Sequence, residues 1–287
     1  MSGTLIIINP AARSEKARAL FEKISQLSGA DLVRTTAQPG DAKAMAARAV
    51  ADGYHTIVAA GGDGTINEVV NGIGQADVAL GVLPIGTMNV YAAELGLPAK
   101  SLRKCWEIVT DGHIRLVDLP LANKQYFVQL GGIGFDAQVV QETSVDFKRT
   151  LGPLSYVISA TQIAARKPPR LVVEANGKHH SGSFVLIGNG RFYGGPFLFF
   201  KDALIDDGRL DVLVFKNIGY IDLVRYLHGV MFGTHMNLPD VKYFQARKIM
   251  VRSDQEVPVE VDGEVIGNLP VTFRIAPRKL SVLAPKK

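Results

Sequence analysis

GGDGTINEVVNG, residues Gly61–Gly72, decides how this chain is read. It follows the apolar run Thr56–Ala60, which has the character of a buried strand, and it leads into a helix expected from Ile66 to about Gly72. Glycines at a strand-to-helix turn let the backbone approach a ligand closely. The helix start turns unpaired N–H groups and the positive end of its dipole toward an anion. Thr65 adds a hydroxyl that can contact a ligand or cap the helix. Asp63 is the odd member, because a carboxylate beside phosphates repels them unless a divalent cation or a ribose hydroxyl intervenes. The stretch has neither the lysine of GxxxxGK[ST] nor the spacing of GxGxxG, so it is neither a P-loop nor a dinucleotide fingerprint.

Outward from this turn the first half alternates between two periods. Thr4–Asn9, Leu32–Thr36 and Val78–Val82 read as strands, and Pro10 and Pro84 punctuate two of them. Ser14–Ser28 carries Ala17, Leu20, Phe21, Ile24 and Leu27 on one helical face. Asp41–Asp52 is an alanine-rich helix with Asp41 as its expected N-cap, and Met88–Leu95 and Ser101–Thr110 are helical. Strands alternating with helices predict an α/β domain with a mostly parallel sheet. Loops at the carboxyl edge of such a sheet share a ligand crevice. PIGTMN (Pro84–Asn89), with Gly86, Thr87 and Asn89, would join the glycine turn there. So would the loop Asn9-Pro10-Ala11-Ala12-Arg13, with Arg13 available for phosphate charge, and Thr36.

After Arg115 the texture changes to short strand-like runs: Gln125–Gly131, Arg170–Asn176, Gly182–Gly188, Leu210–Phe215, Ile249–Ser253, Val257–Val261, Val271–Ile275 and Leu280–Leu283. Turn pairs such as Asn176-Gly177 and Asp262-Gly263 separate them. Two helices, near Leu154–Ala165 and Tyr220–Phe232, interrupt an all-β unit expected to be a sandwich or flattened barrel. The division expected is residues 1–122 for the α/β domain and 123–287 for the β-sandwich. The last strand is free to pack with either.

The chain has 287 residues, 47% hydrophobic and 21% charged, which excludes a disordered or fibrous protein and allows two domains. One cysteine, Cys105, excludes an internal disulfide and a multi-cysteine zinc site. No basic leader precedes the first apolar run, and no apolar stretch is long enough for a spanning helix, so a cytoplasmic protein without a transmembrane segment is expected. Residues 1–122 hold 11 Lys and Arg against 12 Asp and Glu; the remainder holds 21 against 15, so the net +5 comes from the second half. Such a half suits a polyphosphate, a nucleic acid or an anionic membrane surface.

Three later segments offer chemistry. VDGEVIGN (Val261–Asn268) sets Asp262 and Glu264 about a glycine turn, where period-2 alternation would point both to one side; such a pair can hold a cation or take a proton. DALIDDGRLDV (Asp202–Val212) gathers four acidic residues, and a carboxylate with turn carbonyls can ligate a hard cation. NGRFYGG (Asn189–Gly195) is a further glycine-rich loop. The six histidines show no ligand spacing, and Cys105 and Trp106 belong to a helix face.

GGDGTINEVVNG, PIGTMN, GGIGFDAQV (Gly131–Val139), NGRFYGG, LIDDGRLDV and VDGE, in that order, resemble the diacylglycerol kinase catalytic-domain family, which includes bacterial lipid kinases and the sphingosine and ceramide kinases. The likeness spans roughly residues 4–285. It implies an ATP- and Mg²⁺-dependent lipid kinase acting on diacylglycerol or a related lipid, with ATP in a cleft between the α/β domain and the sandwich. The implied nucleotide contacts are Asn9, Pro10, Ala11, Ala12, Arg13, Thr36, Gly61, Gly62, Asp63, Gly64, Thr65, Ile66, Asn67 and Thr87. It implies a Mg²⁺ site using Asp207 with the carbonyls of Leu204 and Arg209, and a second Mg²⁺ carried by the nucleotide near Asp63. It implies that Asp262 or Glu264 is the general base. Ala12-Arg13 replaces the family's loop glycine, and Val90-Tyr91 replaces an acidic–aromatic pair that would shape the acceptor pocket. The lipid would be met peripherally at the inner membrane surface, through the apolar run Phe192–Phe200 and the basic pairs Lys148-Arg149 and Arg166-Lys167; no nucleic acid is expected, and a homodimer stays open. An NAD kinase-like phosphotransferase, which shares GGDGT, and an inactive nucleotide or lipid sensor are the alternatives.

Overall fold

Strand β1 (Thr4–Ile8) is almost wholly aliphatic and buried, as a strand covered on both faces must be. It pairs in parallel with β2 (Val33–Thr35) on one side and β3 (Thr56–Gly61) on the other. Beyond β3 lie β4 (Ala79–Pro84), then β20 (Leu280–Leu283) and β5 (Ile114–Val117), giving the order β2-β1-β3-β4-β20-β5. All pairs are parallel except β20 with β5. The last strand therefore belongs to the first sheet.

In a computed structural model of the chain, residues 3–10, 22–27, 33–135, 137–138, 168–195 and 197–286 are described. Residues 22–27 of the first predicted helix are helical; its remainder lies outside the described residues. So do Ala11, Ala12 and Arg13, the predicted helix Leu154–Ala165, and the pairs Lys148-Arg149 and Arg166-Lys167.

Helices α1 (Asp41–Ala51) and α2 (Asp63–Ile73) pack against each other through small residues. A Cβ at Gly72 would stand 2.4 Å from the Lys43 carbonyl, and Ala42, Ala46 and Ala49 form the buried stripe of α1. The alanine content of α1 is thus a packing requirement. Asp41 is not its N-cap. Gly40 holds that position in a left-handed conformation, while Asp41 turns back to accept the Ala37 and Gln38 N–H groups at 2.8 and 3.0 Å. Helices α3 (Val90–Glu94) and α4 (Leu102–Asp111) complete the layer, and Ser101 caps α4.

The chain divides into two compact units. One holds the residues up to Leu119, those from Pro277 onward, and Gly194-Gly195; the other holds Pro120–Tyr193 and Phe197–Ala276.

The second unit is a sandwich of two antiparallel sheets. One contains β6 (Pro120–Ala122), β7 (Gln125–Tyr126), β9 (Leu171–Ala175), β10 (Lys178–Gly182), β16 (Lys248–Arg252) and β19 (Val271–Ile275). The other contains β8 (Leu130–Ile133), β11 (Phe184–Gly188), β14 (Leu210–Phe215), β15 (Val241–Ala246), β17 (Pro258–Val261) and β18 (Glu264–Asn268). Alternate residues of both sheets, among them Val173, Val185, Val212, Ile249 and Phe273, fill the space between them. The outer face of the second sheet is buried as well. Leu130, Leu186, Leu213 and Phe215 pack beneath Tyr226 of helix α5 (Tyr220–Met231) and beneath Phe200. This double burial explains why β11 and β14 are apolar throughout and easily read. The expected single strand Gln125–Gly131 is instead two pieces, and between them the Val128 and Gln129 N–H groups turn to a carboxylate described below. β10, with sequence KHHSG, escapes prediction because it is an edge strand that buries almost nothing.

Candidate active site

In the first unit, β1 is flanked by β2 on one side and β3 on the other, so the chain order reverses at the β1/β3 pair. Ligands of open α/β sheets bind at the carboxyl ends of the strands at such a point. Here Asn9 leaves β1 and Gly61 ends β3. The Asn9 amide N–H donates to the Ala60 carbonyl at 2.9 Å, and its side-chain Nδ2 donates to Thr65 Oγ1 at 3.1 Å. Thr36 is tied to the end of β1 by its N–H, which donates to the Ile8 carbonyl at 3.0 Å.

The glycine turn and PIGTMN are in direct contact. Ile85 N–H donates to the Gly61 carbonyl at 3.1 Å, and a Cβ on Gly86 would lie 2.4 Å from the Gly62 Cα. The contact requires glycine at position 86, while a Cβ on Gly62 would lie 3.3 Å from the Gly86 Cα. Asn89, in a left-handed conformation, braces this loop: its Oδ1 accepts from Gly86 N–H at 3.0 Å and its Nδ2 donates to the Gly86 carbonyl at 2.8 Å.

Helix α2 starts at Asp63, earlier than the sequence suggests, with Gly62 as an N-cap that offers no side chain to the first-turn amides. First-turn amides left without a side-chain cap are donors of the kind that can hold an anion. Thr65 sits inside the helix and does not cap it; its hydroxyl receives Asn9. Asp63 has a task the sequence does not reveal. Its two oxygens accept the Val90 and Tyr91 N–H groups at 3.1 and 3.0 Å, capping α3. Ile66 and Asn67 face inward, and Asn67 Oδ1 accepts Asn71 Nδ2 at 2.9 Å. Thr87 is exposed and Pro10 half-buried. Tyr91 is fully buried.

In the second unit, Asp262-Gly263 is the two-residue turn of the β17–β18 hairpin, with φ of +49° and +85°. Positive φ at both positions is the geometry that Asp-Gly favours. Strand alternation therefore does not govern Asp262 and Glu264. The Asp262 carboxylate turns inward: Oδ2 accepts Val128 N–H at 2.7 Å, and Oδ1 accepts the N–H groups of Gln129 and Leu130 at 2.9 and 3.0 Å. Glu264 opens β18 opposite Val261 and is exposed. Beside them, buried Glu260 accepts the Gly263 N–H at 2.7 Å, and buried Asn189 donates through Nδ2 to the Val128 carbonyl at 3.0 Å. Glu260 is missed in the sequence because it reads as one more position of an apolar strand.

In the DDG loop, Asp207 Oδ1 accepts Arg209 N–H at 2.9 Å, and Leu204 is exposed. The neighbouring Asp211 is fully buried. Its Oδ1 accepts the Tyr243 hydroxyl and, at 3.2 Å, Gln245 Nε2, while Oδ2 has no partner among the described residues. Burial pushes the Asp211 carboxyl up, Tyr243 and Gln245 oppose that, and Asp207 and Asp202 add repulsion. Among the described residues no group of three or more His, Cys, Asp or Glu side chains is placed to hold a metal ion. A cation here would rest on one carboxylate and backbone carbonyls. That hard-oxygen donor set is of the type that suits Mg²⁺.

Comparison with known proteins agrees with this organisation. The model of the diacylglycerol kinase catalytic domain matches residues 3–122, and that of the YegS C-terminal NAD kinase beta sandwich-like domain matches residues 131–284. A diacylglycerol kinase of Bacillus subtilis (strain 168) is 30% identical over 100% of this chain and 98% of its own length. One from Staphylococcus aureus (strain MRSA252) is 32% identical over 98% and 91%. A crystal structure of a diacylglycerol kinase from Bacillus anthracis str. Sterne superposes with a TM-score of 0.79 at 25% identity, covering 98% of this chain and 96% of that one. The chain belongs to the diacylglycerol kinase family, phosphotransferases with an alcohol group as acceptor.

Proposed function

We propose that the protein is an ATP- and Mg²⁺-dependent lipid kinase that moves the γ-phosphoryl group of ATP to a hydroxyl of diacylglycerol or a related membrane lipid. The observation that carries the reading is the glycine-on-glycine contact of Gly62 with Gly86 at the strand ends, beside the uncapped start of α2. That arrangement offers amide donors to a triphosphate without a lysine. Gly61 to Thr65, Asn9, Pro10, Thr36 and Thr87, with Ala11–Arg13, would hold ATP. Ile66 and Asn67 would support it from within the fold. ATP supplies the transferred group, and Mg²⁺ neutralises charge on it.

Glu264 is the base in this reading. Asp262 spends its oxygens on three backbone N–H groups and serves as the anchor of the turn that presents Glu264. The lipid hydroxyl loses its proton to the Glu264 carboxylate as its oxygen bonds to the γ-phosphorus, and the bond from that phosphorus to the ADP oxygen breaks. Asp207, with the carbonyls of Leu204 and Arg209, would hold a Mg²⁺ that ties the DDG loop together. Among the described residues no helix is long and apolar enough to cross a membrane. In this reading a cytoplasmic enzyme meets its lipid peripherally, at the inner surface.

The test is incubation with labelled ATP, Mg²⁺ and either membrane lipids or NAD. Labelled lipid that vanishes in Glu264→Gln protein supports the reading. Labelled NADP overturns it, and ATP binding without any product would make the protein a sensor.

A further inference from the structure

Residues 127–129 belong to neither β7 nor β8, and all three are buried. Backbone groups in such a place need partners, because a buried amide left unpaired destabilises the fold. Two consecutive peptide units here are held from both sides. In the unit joining Val128 to Gln129, the carbonyl accepts Asn189 Nδ2 at 3.0 Å and the N–H donates to Asp262 Oδ1 at 2.9 Å. In the unit joining Gln129 to Leu130, the carbonyl accepts the Asn189 N–H at 2.9 Å and the N–H donates to the same Asp262 oxygen at 3.0 Å. Asn189 therefore holds the carbonyl ends of the two peptides whose N–H ends hold Asp262. Hydrogen bonds in such a chain polarise one another, so each bond from Asn189 strengthens the one made to the carboxylate.

Asn189 is 1% exposed and opens the NGRFYGG loop just after β11. That loop is fastened to the same segment at a second point. Gln129 Nε2 donates to the Phe192 carbonyl at 2.9 Å, where β12 (Phe192–Tyr193) pairs with β13 (Phe197–Leu198). Asp262 in turn fixes its hairpin. Its own N–H donates to the Leu130 carbonyl at 2.9 Å, and the N–H of the next residue, Gly263, is taken by Glu260. Glu264 follows directly, so the place of its carboxylate is inherited from this turn.

We propose that Asn189 is a positioning residue for phosphoryl transfer, acting through the peptides of residues 128–130 and through Asp262 to hold the turn from which Glu264 takes the acceptor proton. This rests on the reading of Glu264 as the base. A reacting group misplaced by about 1 Å can lose on the order of 100-fold in rate, so a buried amide far from the base in sequence can govern it.

The experiment follows labelled transfer to membrane lipids and backbone amide exchange in the full chain. Asn189→Ala should lower kcat by about 10- to 100-fold, with the KM for ATP within about twofold of wild type, because the glycine turns of the first unit are untouched. In Glu264→Gln protein the same substitution should lower the residual rate by less than about twofold, since the base that it positions is gone. A residue that only stabilised the fold would multiply the two losses. The amides of Gln129 and Leu130 should exchange at least about tenfold faster in Asn189→Ala, as they should in Asp262→Asn. Asn189→Ser, which keeps a donor hydroxyl, should fall between wild type and Asn189→Ala in both readouts, and it carries the test if the alanine variant does not fold. Multiplied losses, or exchange of these two amides at the wild-type rate, overturn the proposal. A wild type that phosphorylates no lipid refutes the kinase reading, and with it the role in transfer; faster exchange in the variants would then still establish that Asn189 holds Asp262.

Discussion

Asp262 and Glu264 differ by two positions and by the whole of their surroundings. Asp262 lies in a turn with positive φ and accepts three charge-assisted hydrogen bonds from the N–H groups of residues 128–130. Glu264 begins the next strand and is exposed. Replacing Glu264 by Gln is expected to lower phosphoryl transfer by about 100- to 10,000-fold with little change in melting temperature. Asp262→Asn is expected to lower activity and melting temperature together, because the turn loses its anchor. Labelled transfer and thermal melting on the same preparations decide this, and a Glu264→Gln enzyme at wild-type rate sinks the assignment. Gly86→Ala makes a second residue-scale prediction. Its methyl group would lie 2.4 Å from the Gly62 Cα, so the two loops must separate. ATP binding, measured by calorimetry, should be lost while stability falls by about 1–3 kcal/mol. Both glycine motifs were legible in the sequence; their mutual contact was not.

At the scale of elements, helix α5 is tied to the loop before β15 through Asp240. That carboxylate accepts Arg225, the Tyr226 hydroxyl at 2.5 Å and Asn217 Nδ2 at 3.0 Å. Burial by itself would raise Asp240, but Arg225, Tyr226 and Asn217 outweigh it and hold the carboxyl down to about 2. A carboxyl depressed in the folded state stabilises the fold above its unfolded value and loses that contribution as pH falls through the folded one. Melting temperature should therefore drop between about pH 4 and pH 2, and more steeply in the wild type than in Asp240→Asn. Parallel curves would show that the network does not hold the helix. The boundary of α5 was readable from its periodicity, which ends within a residue of the observed helix. Edge strands β10 and β15 were not, since neither needs an apolar run to be held by its neighbour.

For the whole molecule, the informative event is the return of the chain. β20 inserts between β4 and β5, with Val282 beside Leu80 in parallel and Arg115 antiparallel. The first sheet is therefore incomplete until the entire second unit has been made. A chain ending after Ala276 should leave β5 detached and the buried faces of β4 exposed. Its first unit should lose cooperative melting and become sensitive to limited proteolysis. A truncated protein with wild-type protection of residues 33–119 would contradict this.

The sequence alone determined the strands buried on both faces, the helices with one apolar stripe, the glycine turns and the two-unit plan, because each is written in local periodicity and in residues that only certain backbone conformations accept. Tertiary structure decided the rest. It drew Asp63 to the start of α3, Asp262 to residues 128–130 and β20 into the first sheet. In each case a hydrogen-bonding group found its partner in a distant part of the chain, and such pairings leave no period for a sequence to display.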